Sequence, residues 1–453
     1  MRSKKTKTRT IGFILIIAQI SVLSTLVIWY HVDYYNPDLV FDVNDISHSV
    51  EGFGAQVWEG DNISKIDGLI KELNLKLVRM SKGSYNSPLD ITGWNRSDYN
   101  AFYNPQVKIA FVDMLEQNNI SIMINFFGFP SNWKDASGTI LPGYNQPFAM
   151  LAGAFLYQLS LVNFIPAYFE PFNEPDGSWN GRIPPEDYNE IVKYLHAELD
   201  YYNLTNISIV GPGRAHIDVG ENDEYIEMLD NQGVASIGAW SIHGWEWDDA
   251  TRSDPSIVRD SYRRGFGASV KRKDPNQSKP IIITEYSTFA YDKDPPSSET
   301  AGFATRVYEN TLSFINEGAN AAIYWQAADQ TWDPNNTWSF LRVDGSGRPV
   351  YDVIKTLYPK ITGFDVVDII DQAYGVYSGV YVKNNTMIIA LVNNDDVEHG
   401  INVKPSGISG MTLVEAIGFQ GGSIVNYSLS MDVEHVTLPA LSTLTLNFSI
   451  QKN

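Results

Sequence analysis

Two stretches decide the architecture of this chain: Tyr168-Phe-Glu-Pro-Phe-Asn-Glu-Pro-Asp176 and Lys279-Pro-Ile-Ile-Ile-Thr-Glu-Tyr-Ser287. Each is a short apolar run that ends in a carboxylate, Glu174 in the first and Glu285 in the second. Both runs have the length of a strand rather than a helix. Near-continuous apolar character at that length reads as a strand buried on both faces that gives out into a loop.

Six further runs of the same kind flank these two. In order the eight predicted strands are Val50–Val57, Leu75–Met80, Ile120–Phe126, Ile165–Phe172, Ile207–Val210, Ala239–His243, Ile281–Thr284 and Ala321–Trp325. Amphipathic segments lie between them. Tyr188–Leu199 sets Ile191, Val192, Leu195 and Leu199 on one face, and Pro184-Pro185-Glu186 before it reads as a helix start. Thr305–Glu317 repeats the pattern with Val307, Thr311, Leu312, Phe314 and Ile315. Strands alternating with helices over about 300 residues indicate a parallel sheet. Eight such units imply a (β/α)8 TIM barrel over residues 50–355.

The tail follows another rule. Within residues 356–453, short alternating runs are punctuated by Asn384-Asn385, Asn393-Asn394-Asp395 and Gly421-Gly422. The best are Tyr377–Lys383, Thr386–Asn393, Gly400–Val403, Thr412–Ile417, Val433–Leu438 and Thr443–Ser449. They predict a C-terminal antiparallel β-sandwich. Residues 31–49 read as a linker, with Leu39–Asp45 as a possible extra sandwich strand.

Residues 1–30 read as a targeting segment. Arg2, Lys4, Lys5, Lys7 and Arg9 precede a run from Ile11 to Trp29 without a charged residue. Its 19 residues are close to the ~20 a bilayer-spanning helix needs. The basic flank puts the rest of the chain on the extracellular or lumenal side. Leu26-Val-Ile-Trp-Tyr30 is too bulky for a small-residue cleavage site, so a retained signal anchor is expected; the alternative is secretion after cleavage. Partnership with a membrane through this N-terminal helix follows. Ten Asn-x-Ser/Thr sequons, at Asn62, Asn95, Asn119, Asn203, Asn206, Asn276, Asn335, Asn384, Asn426 and Asn447, fit an exported glycoprotein.

Composition closes off other classes. With no cysteine, the chain has no disulfide, thiolate metal site or cysteine nucleophile. A net charge of −20 repels a polyanion, so nucleic acid is excluded as a partner. Aromatics make up 13% of residues, with 11 Trp and 25 Tyr, which suits a surface that stacks on sugar rings. Trp58, Trp133, Trp179, Trp245, Trp247, Trp325, Trp332 and Trp338 all end or closely follow a predicted strand.

A barrel of this kind carries its active site at the C-terminal strand ends. Glu174 then follows strand four and Glu285 follows strand seven, so both project into one cleft. Two carboxylates presented this way are what glycosidic bond cleavage uses, one as acid and the other as nucleophile or base. Arg79 closes strand two, Asn125 lies in strand three, Asn173 precedes Glu174, His243 closes strand six and Trp325 closes strand eight. An Arg beside Glu285 would hold it ionised, since a positive neighbour lowers a carboxyl pKa. Singly, each has a duller reading: Asn-Glu-Pro is a short motif, and a lone His is usually structural. Their joint placement at one face carries the inference.

These residues resemble clan A of the retaining glycoside hydrolases, and within it glycoside hydrolase family 30. Strand four ending in Asn-Glu-Pro and strand seven ending in Thr-Glu-Tyr carry the likeness. Val50-Glu-Gly-Phe-Gly-Ala55, Leu77-Val-Arg-Met80, Phe129-Pro-Ser-Asn-Trp133, Ser241-Ile-His-Gly244, Ala322-Ile-Tyr-Trp-Gln326 and Tyr351-Asp-Val-Ile354 extend it. The resemblance implies Glu174 as general acid/base and Glu285 as nucleophile. It implies Asn173 on the sugar 2-hydroxyl, Arg79 in support of Glu285, and His243, Trp325 and Tyr286 around the cleavage subsite. Asn125 and Trp245 join as substrate-binding candidates. No metal and no organic cofactor is implied. The expected substrate is a β-linked polysaccharide or oligosaccharide. Glu170-Pro171-Phe172 is bulkier than the family pattern, and the loop with Trp245 and Trp247 matches no subfamily. The main alternative is a catalytically silent carbohydrate-binding protein at the cell surface, against which the intact pair of glutamates stands. Metal-dependent barrel chemistry is a third reading, for which no His/Asp/Glu ligand cluster is evident in the sequence.

Overall fold

Eight parallel strands close on themselves in chain order: β2 (Gly52–Val57), β3 (Leu77–Gly83), β4 (Ser121–Phe127), β5 (Tyr168–Glu170), β6 (Ser208–Arg214), β7 (Ala239–Gly244), β8 (Ile281–Tyr286) and β9 (Ala321–Tyr324). The last pairs with the first, Gly52 opposite Ala321. In this computed structural model the described residues are 38–58, 60–83, 95–102, 109–215, 222–245, 255–288, 297–331, 337–428 and 434–453. All eight predicted strands find their place in this barrel. The fourth is the most altered: eight predicted residues shrink to the three of β5, because the chain turns out of the sheet after Glu170.

Helices form where the sequence offers periodic apolar residues and an end signal. The helix Pro185–Tyr201 has Pro at its first turn and Glu186 and Asp187 beside its positive dipole end. It buries Tyr188, Ile191, Val192, Leu195 and Leu199 against the barrel. The helix Ala301–Asn316 is capped by Thr300, whose side chain accepts from the Phe303 N–H. It is buried along almost its whole length because the second sheet covers its outer side. Tyr308 Oη and Thr445 Oγ1 meet there at 2.9 Å, and Asn316 Nδ2 donates to the Ser378 carbonyl at 2.8 Å.

That second sheet has nine strands: β1 (Asp38–Ser49), β10 (Asp365–Asp371), β11 (Tyr377–Lys383), β12 (Thr386–Asn393), β13 (His399–Ser406), β14 (Ile408–Gln420), β15 (Ser423–Asn426), β16 (His435–Leu438) and β17 (Ser442–Lys452). Their order is β15-β14-β17-β12-β11-β10-β1-β13-β16. Ala416 of β14 and Val436 of β16, near opposite edges, share one apolar core, so the sheet curls upon itself. The antiparallel expectation needs one correction: β1 runs parallel to β13. The stretch Leu39–Asp45 lies inside β1, where Leu39, Phe41 and Val43 are buried at period two. Strands β10 and β15 were not predicted. β10 is half-exposed and β15 is only four residues long, so neither has a strong apolar signal. The expected membrane span lies outside the described residues. Among the described residues no helix is long and apolar enough to cross a membrane.

Candidate active site

Side chains alternate across a strand, so residues two apart share a face. Inside the barrel the first layer is apolar: Leu77, Met123, Val210, Ala239, Ile282, Ala321 and Ile323, with Tyr168 against them. Two residues further along five of these strands stand Arg79, Asn125, Glu170, Ser241 and Thr284. Every one of them is polar and 0% exposed. The chain thus lays a polar layer on an apolar floor, and the two candidate glutamates lie above it.

Arg79 organises that layer. Its Nε and Nη2 donate to Glu170 Oε2 at 3.1 and 2.7 Å. Its Nη1 donates to Glu285 Oε2 and to Gln56 Oε1, both at 3.1 Å, and Nη2 also reaches Asn173 Oδ1. Glu170 Oε1 accepts from Thr284 Oγ1 at 2.8 Å and Ser241 Oγ at 3.2 Å. A Cβ on Gly213, at φ 64°, would stand 2.4 Å from that same oxygen, so only glycine fits there. Removing one member of such a buried pair leaves an unmatched charge, at a cost of about 3–5 kcal/mol.

Glu174 and Glu285 reach the mouth by different means. Residues before proline are normally extended. Glu174, before Pro175, instead adopts φ 56°, with its N–H bonded to the Gly213 carbonyl at 3.1 Å. Such backbone is uncommon for a non-glycine residue and concentrates at functional sites. On β8, strict alternation from Ile282 would face Glu285 outward. The β7–β8 register shifts between Ile242/His243, so that His243 comes opposite Glu285, and β8–β9 shifts between Ile283/Tyr286. Irregular pairing of this kind re-aims a side chain.

His243 Nδ1 and Glu174 Oε1 share a hydrogen bond of 3.0 Å, and Glu285 Oε2 lies 3.8 Å from the same nitrogen. Trp245 Nε1 donates to Glu285 Oε1 at 2.8 Å. Asn173 Nδ2 and Asn180 Nδ2 each donate to Glu174 Oε2 at 3.3 Å, and Trp179 Nε1 donates to the same oxygen. Burial pushes the Glu285 carboxyl above the ordinary glutamate range; Glu174 adds to this, while His243, Arg79 and the Trp245 N–H pull back without cancelling it. The expectation that an arginine alone would hold Glu285 low is therefore corrected: Arg79 divides its charge with Glu170. Burial pushes the His243 imidazole down, but Glu285 and Glu174 outweigh it and the net direction is up.

Of the residues expected from sequence, Arg79, Asn125, Asn173, Glu174, His243, Trp245 and Glu285 converge. Asn125 Nδ2 donates to Asn173 Oδ1 at 3.1 Å. Trp325 stands edge-on to Trp58 at 6.0 Å, and Trp58 Nε1 donates to Gln326 Oε1 at 2.5 Å. Tyr286 is a correction. It is 0% exposed and points out of the barrel, where its hydroxyl meets Thr311 Oγ1 at 2.7 Å and the Tyr358 hydroxyl. Trp133 is likewise core, at 0% exposed, while Trp247 and Trp332 lie outside the described residues. The sequence reading missed Gln56, Asn180 and, above all, Glu170. A charged residue two positions after Tyr168 in a two-face buried strand was the available signal.

A ligand cluster does form, contrary to expectation: one ligand atom from each of Glu174, His243 and Glu285 lies within 4.8 Å of the others. The chemistry of its surroundings disfavours a cation, because Arg79 already donates to Glu285. A separate cavity of about 420 Å³ lies at the opposite end of the barrel, beside Ser47, His48, Lys279 and Asn320. Two of its polar groups are already bonded: Lys279 Nζ donates to the Val234 carbonyl, and Asn320 Nδ2 to the Ser49 carbonyl at 3.1 Å.

No family model and no curated protein matches the sequence. Solved structures do match the fold. A glycoside hydrolase family 30 subfamily 8 xylanase from Clostridium acetobutylicum has a TM-score of 0.65 at 17% identity, covering 91% of this chain and 100% of its own. The catalytic domain of a family 30 xylanase from Talaromyces cellulolyticus has a TM-score of 0.66 at 13% identity, covering 92% and 100%. A family 51 α-L-arabinofuranosidase from Bifidobacterium longum has a TM-score of 0.63 at 13% identity, covering 91% and 99%. At these identities the likeness is one of fold, a TIM barrel with an appended β-sheet domain.

Proposed function

We propose that this chain is a retaining β-glycoside hydrolase of the family 30 type, acting on a β-linked glycan by double displacement. One observation carries the reading: Glu174 and Glu285 present carboxylate oxygens within 4.8 Å of each other at one barrel mouth. Retaining enzymes hold their two carboxyls ~5–5.5 Å apart, whereas inverting enzymes need ~6.5–9.5 Å to admit a water.

In the first step a Glu285 oxygen attacks the anomeric carbon as the bond to the leaving oxygen breaks, and Glu174 gives that oxygen its proton. The sugar is then an ester of Glu285. In the second step Glu174 takes a proton from water, the water oxygen attacks the same carbon, and Glu285 leaves as carboxylate. His243, bonded to Glu174 and close to Glu285, holds the two in register. Asn173, fixed by Arg79 and Asn125, is placed for the sugar 2-hydroxyl. Family 30 xylanases and an endo-β1,6-glucanase share the fold, so xylan and β-1,6-glucan head the substrate panel, with galactan and mannan beside them. Tethering by residues 11–29, with the barrel outside, belongs to the same proposal; retention of the full chain in a washed membrane fraction tests it.

Product analysis on that panel decides the activity. Wild type should release reducing sugar from at least one glycan. Glu285→Gly should lose about 10⁴–10⁶-fold in kcat and recover turnover of an activated aryl β-glycoside when azide or formate is added. Full activity of Glu285→Gln would sink the assignment.

A further inference from the structure

Arg79 spends its paired N–H groups on Glu170, not on Glu285. Nε and Nη2 form a fork on one Glu170 oxygen, while Glu285 receives the single Nη1 bond at 3.1 Å. A forked, charge-assisted contact is the stronger kind. Both partners of the fork are completely buried. Thr284 and Ser241 fix the other Glu170 oxygen, which occupies the space a Cβ on Gly213 would take. Strands β3, β6, β7 and β8 thus converge around a carboxylate that bonds to neither Glu174 nor Glu285.

We propose that Glu170 is a positioning residue acting through Arg79: it takes up the guanidinium charge, so that Glu285 stays an excess, attacking carboxylate and is not quenched in a one-to-one ion pair. The inference rests on the glycosidase reading above. The charged and titratable groups facing this centre are Arg79 on β3, Glu174 after β5, His243 on β7, Glu285 on β8 and the Tyr188 hydroxyl from the neighbouring helix. With Arg79 forked onto Glu170, Glu285 shares only a single Arg79 N–H, alongside His243 and the Trp245 N–H.

The test uses the full chain and whichever panel glycan wild type hydrolyses. Glu170→Gln removes one negative charge near Glu285 and keeps the side-chain shape. Glu285 then ionises more readily, so the acid limb of kcat/KM should move down by about one pH unit. The plateau kcat should fall about 10- to 100-fold, because Arg79 now pairs with Glu285 alone. Glu170→Asp, which keeps the charge but draws it back from Arg79, is the second arm in case the first unfolds. It should lower kcat a few-fold, with the acid limb moving the same way by a smaller amount. An upward move of the acid limb would mean that Glu170 merely holds Arg79 in place. A lowered melting point with an unchanged pH profile would make it structural. Either result overturns the proposal, as would wild-type kinetics in both variants. A wild type inert toward the whole panel fails the parent reading instead, which is separately visible.

Discussion

Glu174 and Glu285 face each other across one mouth, yet the backbones that carry them are built differently. β8 is six residues long, and after one register shift its pairing with β7 resumes at Glu285 and Tyr286, so the nucleophile candidate still sits within a strand. β5 ends after three residues, and Glu174 stands four positions beyond Glu170 in an irregular turn at φ 56°. The difference matches the proposed roles. An attacking group gains from a rigid platform, since small errors of placement cost rate. A group that first gives and then takes a proton needs a partner network instead, and Glu174 has His243, Trp179, Asn173 and Asn180 around it.

The largest effect that sharpens this contrast belongs to the irregular side. Glu174→Gln should lower kcat about 10²–10⁴-fold on glycans, whose leaving oxygen needs a proton. On an aryl glycoside with an acidic leaving group, the first step should be nearly spared. Equal losses on both substrates, measured by steady-state kinetics, would break the division of labour.

A middle-sized effect probes the strand side. Trp245 Nε1 stabilises the charged form of Glu285, so Trp245→Phe should raise the carboxyl pKa further. Activity that requires the carboxylate then begins at higher pH, and the acid limb of kcat/KM should move up by about one unit. This is opposite in sign to the move expected of Glu170→Gln, so the two variants calibrate each other.

The smallest effect tests which way β8 faces. Tyr286→Phe removes a hydroxyl that bonds Thr311 and Tyr358 outside the barrel. Stability should drop by about 1–2 kcal/mol in denaturant unfolding, with kcat and KM within about two-fold of wild type. A large rise in KM would return Tyr286 to the cleft.

Much of this was legible in the chain. Buried parallel strands announce themselves by uninterrupted apolar runs, and eight such runs with helices between them leave few architectures to choose from. Strand-end placement then brought Arg79, Asn125, Glu174, His243 and Glu285 to one face, because that step needs only local period and strand order. Tyr286 was misplaced for the same reason: local alternation cannot register an irregularity in pairing with β7 and β9. Metal-ligand spacing along the sequence likewise gave no sign of the Glu174, His243 and Glu285 cluster, whose members come from the turn after β5, from β7 and from β8.

By itself, then, the sequence determined the barrel, the appended sheet and the two acidic strand ends, since burial and periodicity are properties of short segments. Tertiary structure alone decided that Arg79 forks onto Glu170, that the backbone turns left-handed at Glu174, and that β8 turns Glu285 inward and Tyr286 outward. Each depends on groups distant from one another in the chain, or on the pairing of neighbouring strands. Arg79 and Glu170 are 91 positions apart, and Glu174 and His243 are 69. The free energy of a buried charge is set by the partners that surround it in space, and no local pattern contains them.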